Sequence, residues 1–345
     1  MKLKTNLYTL TLLAVMLLAA AGCKKKTDDI TTSPVVGTWK CLDANTYTRY
    51  LIFKPNGSYS KLESNTINVR SLTTDVYITD DKTISYAGGS GSADLFQYTI
   101  SNDTLYTSNP NESHTYVKGT VDESTWVKNI TILQSRDMGV GGYLGSLEWD
   151  GYDFLILNPF IKKMYRANGT DLNIYDSLTF VPTVTTVACK GIEPWINYYN
   201  VDYKLHKING VTGVEVLSSS AAPAKPLTIA ATTDGFLVLT NTGELYNYNL
   251  AADNFTLLSG PIEILTSASL PPDMVVKDGY AYISYYSLIF KLDLTTFQAV
   301  ETYRFNQTDG IVLGLTWDGS NFWALNAMPT SSIAQAQVYL RKIQL

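Results

Sequence analysis

Four acids in the second half of the chain, Glu148, Glu193, Asp273 and Asp309, stand beside apolar runs. A carboxyl held in such surroundings titrates nearer neutrality and can exchange a proton with a substrate. Spacing alone brings no two of them together. A second set recurs at intervals of about 40 residues: Asn158, Asn197, Asn241, Tyr285 and Asn326, flanked by Tyr198, Tyr199 and Tyr286. Amides donate and accept at once and aromatic rings cover apolar sugar faces, so this mixture suits a neutral, hydroxyl-rich ligand such as a glycan. The same asparagines can serve turns, because asparagine tolerates left-handed backbone and bonds its own chain. Both readings stay open.

Other chemistries are poorly supplied. His114 and His206 are the only histidines, and Cys23, Cys41 and Cys189 the only cysteines. That is too few for a closed zinc site, and it makes a histidine-based triad improbable. Phosphate-loop, nucleophile-elbow, zinc-protease and calcium-loop spacings are absent. Gly139-Val-Gly141-Gly142 precedes a strand pattern where a phosphate cradle would open a helix. No metal and no cofactor are expected. With 26 Lys and Arg against 31 Asp and Glu, the net charge of -5 argues against nucleic acid as a partner.

The elements that would position these residues are strands. The 345 residues are 45 % apolar and 12 % aromatic, with 24 tyrosines and only 17 % charged residues, a mixture that fits pleated, half-buried surfaces. From Asp150-Gly151 onward the pairs Lys190-Gly191, Asp234-Gly235, Asp278-Gly279 and Asp318-Gly319 recur, their glycines 40, 44, 44 and 40 residues apart. Each glycine lies between two apolar runs, which marks a hairpin. A third and a fourth run follow in each unit, except that the chain ends before the fifth unit supplies its fourth. Four strands repeated at this period predict a five-bladed β-propeller over 125–345. The segment Asn129-Ile-Thr-Ile-Leu-Gln134 carries the missing pattern. A strand at 129–135 is therefore expected to complete the last blade and close the ring. Asp150, Asp234, Asp278 and Asp318 are expected to serve the turns, and Trp149 and Trp317 the core between blades.

Ahead of this array, residues 35–120 hold about eight short alternating runs separated by Pro55-Asn56-Gly57, Asp80-Asp81 and Asn102-Asp103, a meander that predicts a small closed barrel. Gly37-x-Trp39 followed by Phe53-Lys-Pro-Asn-Gly57-Ser-Tyr59 resembles the lipocalin-like domains of bacterial envelope lipoproteins. That resemblance implies that Trp39 closes the bottom of the barrel. At this length a roomy ligand cavity is not expected. The fold class is thus all-β, a lipocalin-like barrel followed by a propeller. Gly314-Leu-Thr-Trp317-Asp-Gly319-Ser-Asn-Phe-Trp323 is similar to blades of glutamine cyclotransferase-type propellers, a resemblance of the repeat that transfers no catalytic residue.

The first residues read as an address. Lys2 and Lys4 precede 15 almost wholly apolar residues, Leu7 to Ala21, a secretion signal over 1–22 too short for a comfortable membrane span. Leu18-Ala-Ala-Ala-Gly22-Cys23 resembles the lipobox, which implies acylation of Cys23 and a membrane anchor, with 23–34 as a flexible tether. The expected location is the outer membrane, on its periplasmic or cell-surface side. Two functions are carried forward. One is a non-catalytic lipoprotein that binds a glycan, peptide or envelope protein on the propeller face. The other is a propeller enzyme, a lyase or cyclotransferase-like acyl transferase, working through central carboxylates.

Overall fold

The computed structural model describes residues 33–43, 47–80, 82–87, 93–140, 144–199, 201–262, 265, 270–328 and 336–345. Cys23, the 1–22 segment and most of the tether lie outside the described residues. The chain divides into two compact units, 1–61 with 73–121 and 62–72 with 122–345. Among the described residues no helix is long and apolar enough to cross a membrane.

Most of the first unit forms a closed eight-stranded barrel in meander order: Gly37–Cys41 (β1), Thr48–Phe53 (β2), Ser58–Ser64 (β3), Arg70–Thr79 (β4), Thr83–Ala87 (β5), Ala93–Ser101 (β6), Thr104–Ser108 (β7) and Ser113–Lys118 (β8). Turn chemistry sets the corners. Asn102 and Asp103 both hold left-handed backbone (φ 50° and 58°), as a two-residue hairpin requires, and the Asp80 carboxylate accepts from the Lys82 and Thr83 amides. Inward-facing Trp39, Phe53, Tyr59, Tyr77, Phe96 and Tyr116 fill the interior with rings. The Trp39 indole N–H donates to the Val35 carbonyl at 2.6 Å, and the Lys118 ammonium lies 3.8 Å from the centroid of its ring. Closure comes from β1, which pairs with both β2 and β8 and sets Cys41 opposite Tyr116.

The second unit is the propeller. Its blades are Ser146–Trp149, Asp153–Asn158, Lys163–Asn168 and Ile174–Thr179 (β11–β14); Val184–Lys190, Glu193–Tyr198, Leu205–Ile208 and Glu215–Ser218 (β15–β18); Pro226–Ala231, Gly235–Thr240, Leu245–Asn249 and Asn254–Ser259 (β19–β22); and Met274–Lys277, Tyr280–Tyr285, Leu288–Asp293 and Ala299–Arg304 (β23–β26). The fifth blade is Ile311–Trp317, Phe322–Ala327 and Val338–Gln344 (β27–β29), completed by Thr131–Asp137 (β10) along β29. Lys128–Asn129 (β9) adds a short parallel strand outside β26. The inner strands β11, β15, β19, β23 and β27 neighbour one another in turn around the axis.

Residues 62–72, which run from the end of β3 through the following loop into the start of β4, are grouped with the propeller unit although they belong to barrel strands at both ends. Val69 is buried with Ala299, Phe290 and Leu292, with Ile67 packed against them. The Ala299 amide donates to the Ile67 carbonyl, the Asn68 side-chain amide to the Ala299 carbonyl, and the Arg70 amide to the Thr302 hydroxyl. Burial of two branched side chains decides where this segment goes, and alternation along the chain does not reveal it.

The dipeptide repeat aligns the blades only to within one residue. In the fourth blade Asp278 and Gly279 are themselves the two-residue turn, both at positive φ (51° and 80°). In the first and fifth blades the aspartate opens a four-residue turn: Asp150 accepts from the Tyr152 and Asp153 amides, and Asp318 from those of Ser320 and Asn321. Trp149 packs on Phe154 and Trp317 on Phe322, at 4.8 Å between centroids in each case.

Replacing 131–137 by a glycine-serine segment of equal length would leave β29 unpaired on its outer edge. The expected loss is about 3 kcal/mol, seen in calorimetry as a drop of roughly 6–12 °C in the propeller transition.

Candidate functional site

The inner strand of each blade has no neighbour on its axial side, so its N–H groups there need acceptors from side chains. Register places Ser146, Thr186, Thr228, Asp273 and Gly314 at one level around the axis, opposite Leu157, Asn197, Leu239, Ser284 and Leu325 of the second strands. Three hydroxyls, one carboxylate and one glycine thus face the centre. Asp273, fully buried just ahead of β23, accepts from the Leu147 and Leu315 amides on Oδ2, both at 2.9 Å. Its Oδ1 accepts from the Ser146 hydroxyl at 3.2 Å and the Thr228 hydroxyl at 3.1 Å. The ring continues through Ser146 Oγ, which accepts from the Val187 amide, and Thr186 Oγ1, which accepts from the Ile229 amide, both at 3.4 Å. Gly314 makes room for this crossing, since a Cβ there would stand 2.7 Å from Leu147 Cβ.

One layer along, Glu148 accepts from the Cys189 amide at 3.2 Å and the Thr316 hydroxyl at 3.4 Å. Burial, opposed by these donors, holds its carboxyl well above the usual range, and the nearby Asp273 adds to the rise. Burial likewise pushes Asp273 up to about 7, against four donors that favour the ionised form. Cys189, also buried, has its thiol raised by the same desolvation. The other two acids belong elsewhere: Glu193 pairs with Lys207 at 2.6 Å, and Asp309 with Arg341 at 3.3 Å.

The amide ring expected from the sequence does not form. Asn158, Tyr198, Thr240, Tyr285 and Asn326 are the equivalent positions, whereas Asn197 stands one residue earlier and Asn241 one later. One residue reverses the facing of a strand side chain, so Asn197 points to the opposite side of its blade from Tyr198. It is buried, donating to the Lys204 carbonyl and accepting from Thr185. Asn158, also buried, accepts from the Phe160 and Ile161 amides in a turn. Asn326 is fully buried, and neither of its amide atoms has a partner among the described residues.

What the fold does bring together lies on the loops after the second strands. Tyr199 is 49 % exposed, with the Lys225 ammonium 3.6 Å over its ring, and the Asn241 amide donates to the Lys225 carbonyl. Tyr198 packs at 4.7 Å on the ring of His206. Tyr285 and Tyr286 meet edge to face at 4.8 Å. Tyr286 and Tyr203, in corresponding loops of the fourth and second blades, both hold left-handed backbone (φ 52° and 57°), and the residues are 36 % and 41 % exposed.

No family model matches the sequence, and neither does any curated protein. Among solved structures, the chain is similar to the glutaminyl cyclase of Myxococcus xanthus at 8 % identity and a TM-score of 0.49, over 63 % of this chain and 96 % of that one. It is also similar to the computationally designed Ika8 protein at 8 % identity and a TM-score of 0.33, over 87 % and 94 % respectively. The strand order itself makes five blades.

Asp273→Ala would strip acceptors from two buried amides and two hydroxyls, for an expected loss of about 3–5 kcal/mol in urea unfolding. Asp273→Asn can still accept from the amides while the hydroxyls rotate to accept from it, so it is expected to keep most of that stability. The carboxyl of Asp273 is raised in the folded protein from 3.8 to about 7. Its contribution is therefore complete below about pH 4 and declines as pH rises to about 7, a slope that Asp273→Asn should flatten.

Proposed function

We propose that the protein is a non-catalytic, membrane-tethered binding lipoprotein whose propeller takes a neutral, hydroxyl-rich ligand such as a glycan on the loops that follow the second strands. The observation that carries this reading is Tyr286. A bulky residue in left-handed backbone costs about 1–2 kcal/mol relative to glycine, and turn sequences ordinarily avoid it. Here that cost exposes a ring beside Tyr285, and Tyr203 repeats the arrangement two blades away. Exposed rings held on a rigid turn lose little entropy when a sugar face stacks on them. The tether rests on the sequence Leu18 to Cys23. The outer membrane is the location such an anchor would give it.

The same reading accounts for the axis. All the acceptor directions of Asp273 are used by protein donors, which leaves it nothing with which to take a proton from a substrate. A second reading, a lyase or acyl transferase, is favoured by Glu148. It has two donors and retains partial exposure, and burial raises its carboxyl well above the usual range, the direction a general acid needs.

Asn accepts the left-handed conformation more readily, so Tyr286→Asn is expected to hold or raise stability by up to about 1 kcal/mol while abolishing signal on an array of neutral oligosaccharides. Retained signal would sink the binding reading. Turnover of any substrate that Glu148→Gln removes would favour the second. Acylation is checked by labelled fatty acid, which should enter the chain and be lost with Cys23→Ser.

A further inference from the structure

The barrel holds a second constellation, made by its closure. Pairing of β1 with β8 sets Cys41 opposite Tyr116, and the Leu42 amide donates to the Thr115 carbonyl. The chain leaving β1 therefore carries Asp43 alongside His114. The Cys41 thiol stands 2.8 Å from Asp43 Oδ1, and His114 Nδ1 stands 3.5 Å from the same oxygen. Sulfur, oxygen and nitrogen all lie within 4.8 Å of one another. Ligand atoms at tetrahedral zinc are separated by roughly 3.3–3.8 Å, given bonds of about 2.0–2.3 Å, so small side-chain adjustments suffice.

Each donor is also held from behind. His114 Nε2 faces Glu112 Oε2 at 3.1 Å, and the tautomer that donates its Nε2 proton to this carboxylate turns the Nδ1 lone pair toward Asp43 Oδ1, the form a metal would select. Arg49 Nη1 stands 3.3 Å from the same Nε2 and, as a donor only, competes with Glu112 for that nitrogen, so metal binding at Nδ1 requires the Glu112 contact to prevail. Asp43 Oδ2 accepts from the Thr115 amide at 3.0 Å, so Oδ1 is the oxygen left to bind. The Cys41 thiol is buried, the His114 side chain is 14 % exposed, and a depression of about 790 Å³ reaches His114 and Thr115. His206 has carboxylates on both nitrogens, Glu215 at 2.9 Å and Asp202 at 3.1 Å, but among the described residues no thiol joins it.

We propose that Cys41, Asp43 and His114 form a binding site for a borderline divalent metal ion of the zinc class. Glu112 is the outer carboxylate that orients the histidine. Three protein donors leave a fourth position for water or a small anion, the arrangement of an open site. Binding of Zn(II) displaces the thiol proton to solvent, and the thiolate and carboxylate then balance the charge of the ion.

The test titrates the full chain, freed of metal, with Co(II) alone and then Zn(II) alone. Expected is one equivalent of Co(II) with intense tetrahedral visible bands and thiolate-to-metal charge transfer, all bleached by Zn(II). Cys41→Ser and His114→Ala should each weaken binding by about 100-fold or more, and Glu112→Gln by about 10–100-fold, whereas His206→Ala should leave it unchanged. If either barrel variant fails to fold, alkylation of Cys41 in the unaltered chain decides: Zn(II) should slow it and a chelator restore it. A sulfur-free octahedral spectrum, a response that survives both barrel variants, or alkylation indifferent to Zn(II) would each overturn the proposal.

Discussion

Five strand edges meet at the axis of the propeller, and each brings N–H groups that no further strand can pair with. Asp273 resolves the largest share of that deficit with one side chain. It sits on the fourth blade and accepts from the first, third and fifth, while Ser146 and Thr186 extend the same service to the second and third. A buried carboxylate is costly unless its lone pairs are filled, and here they are. Gly314 belongs to the same arrangement by what it lacks. Ring closure from outside, where β10 lies along β29, and ring closure from inside, through this carboxylate, are therefore two halves of one constraint.

That constraint bears on function by subtraction. A group committed to holding blades together is a poor proton shuttle, which moves attention outward to the loops and one layer along to Glu148. The contrast between the two acids is physical: Asp273 has four donors, two of them backbone amides held by strand geometry, while Glu148 has two. Both carboxyls are raised by burial, yet only one has acceptor capacity to spare.

The architecture was legible because its signals are local. Asp-Gly pairs, the runs around them and the turns at Pro55-Asn56-Gly57 and Asn102-Asp103 each follow from a few neighbouring residues. The candidate site was less so. Asp273 was among the acids picked out, but nothing near it in sequence announces Leu147, Thr228 or Leu315 as its partners. The amide ring failed because the Asp-Gly pair occupies different turn positions in different blades, and a shift of one residue turns Asn197 to the other side of its strand. Cys41, Asp43 and His114 follow no ligand spacing. They meet only because the last barrel strand pairs with the first, so a count of histidines and cysteines could not find them.

If the Asp273 crossing ties the blades into one cooperative body, the amides of Leu147 and Leu315 can exchange hydrogen only when the propeller unfolds as a whole. Native-state hydrogen exchange at rising denaturant measures this directly. The account predicts that both amides show the opening free energy and denaturant slope of global unfolding. Exchange of either one through a small, denaturant-independent opening, while core amides of the same strands stay protected, would contradict it.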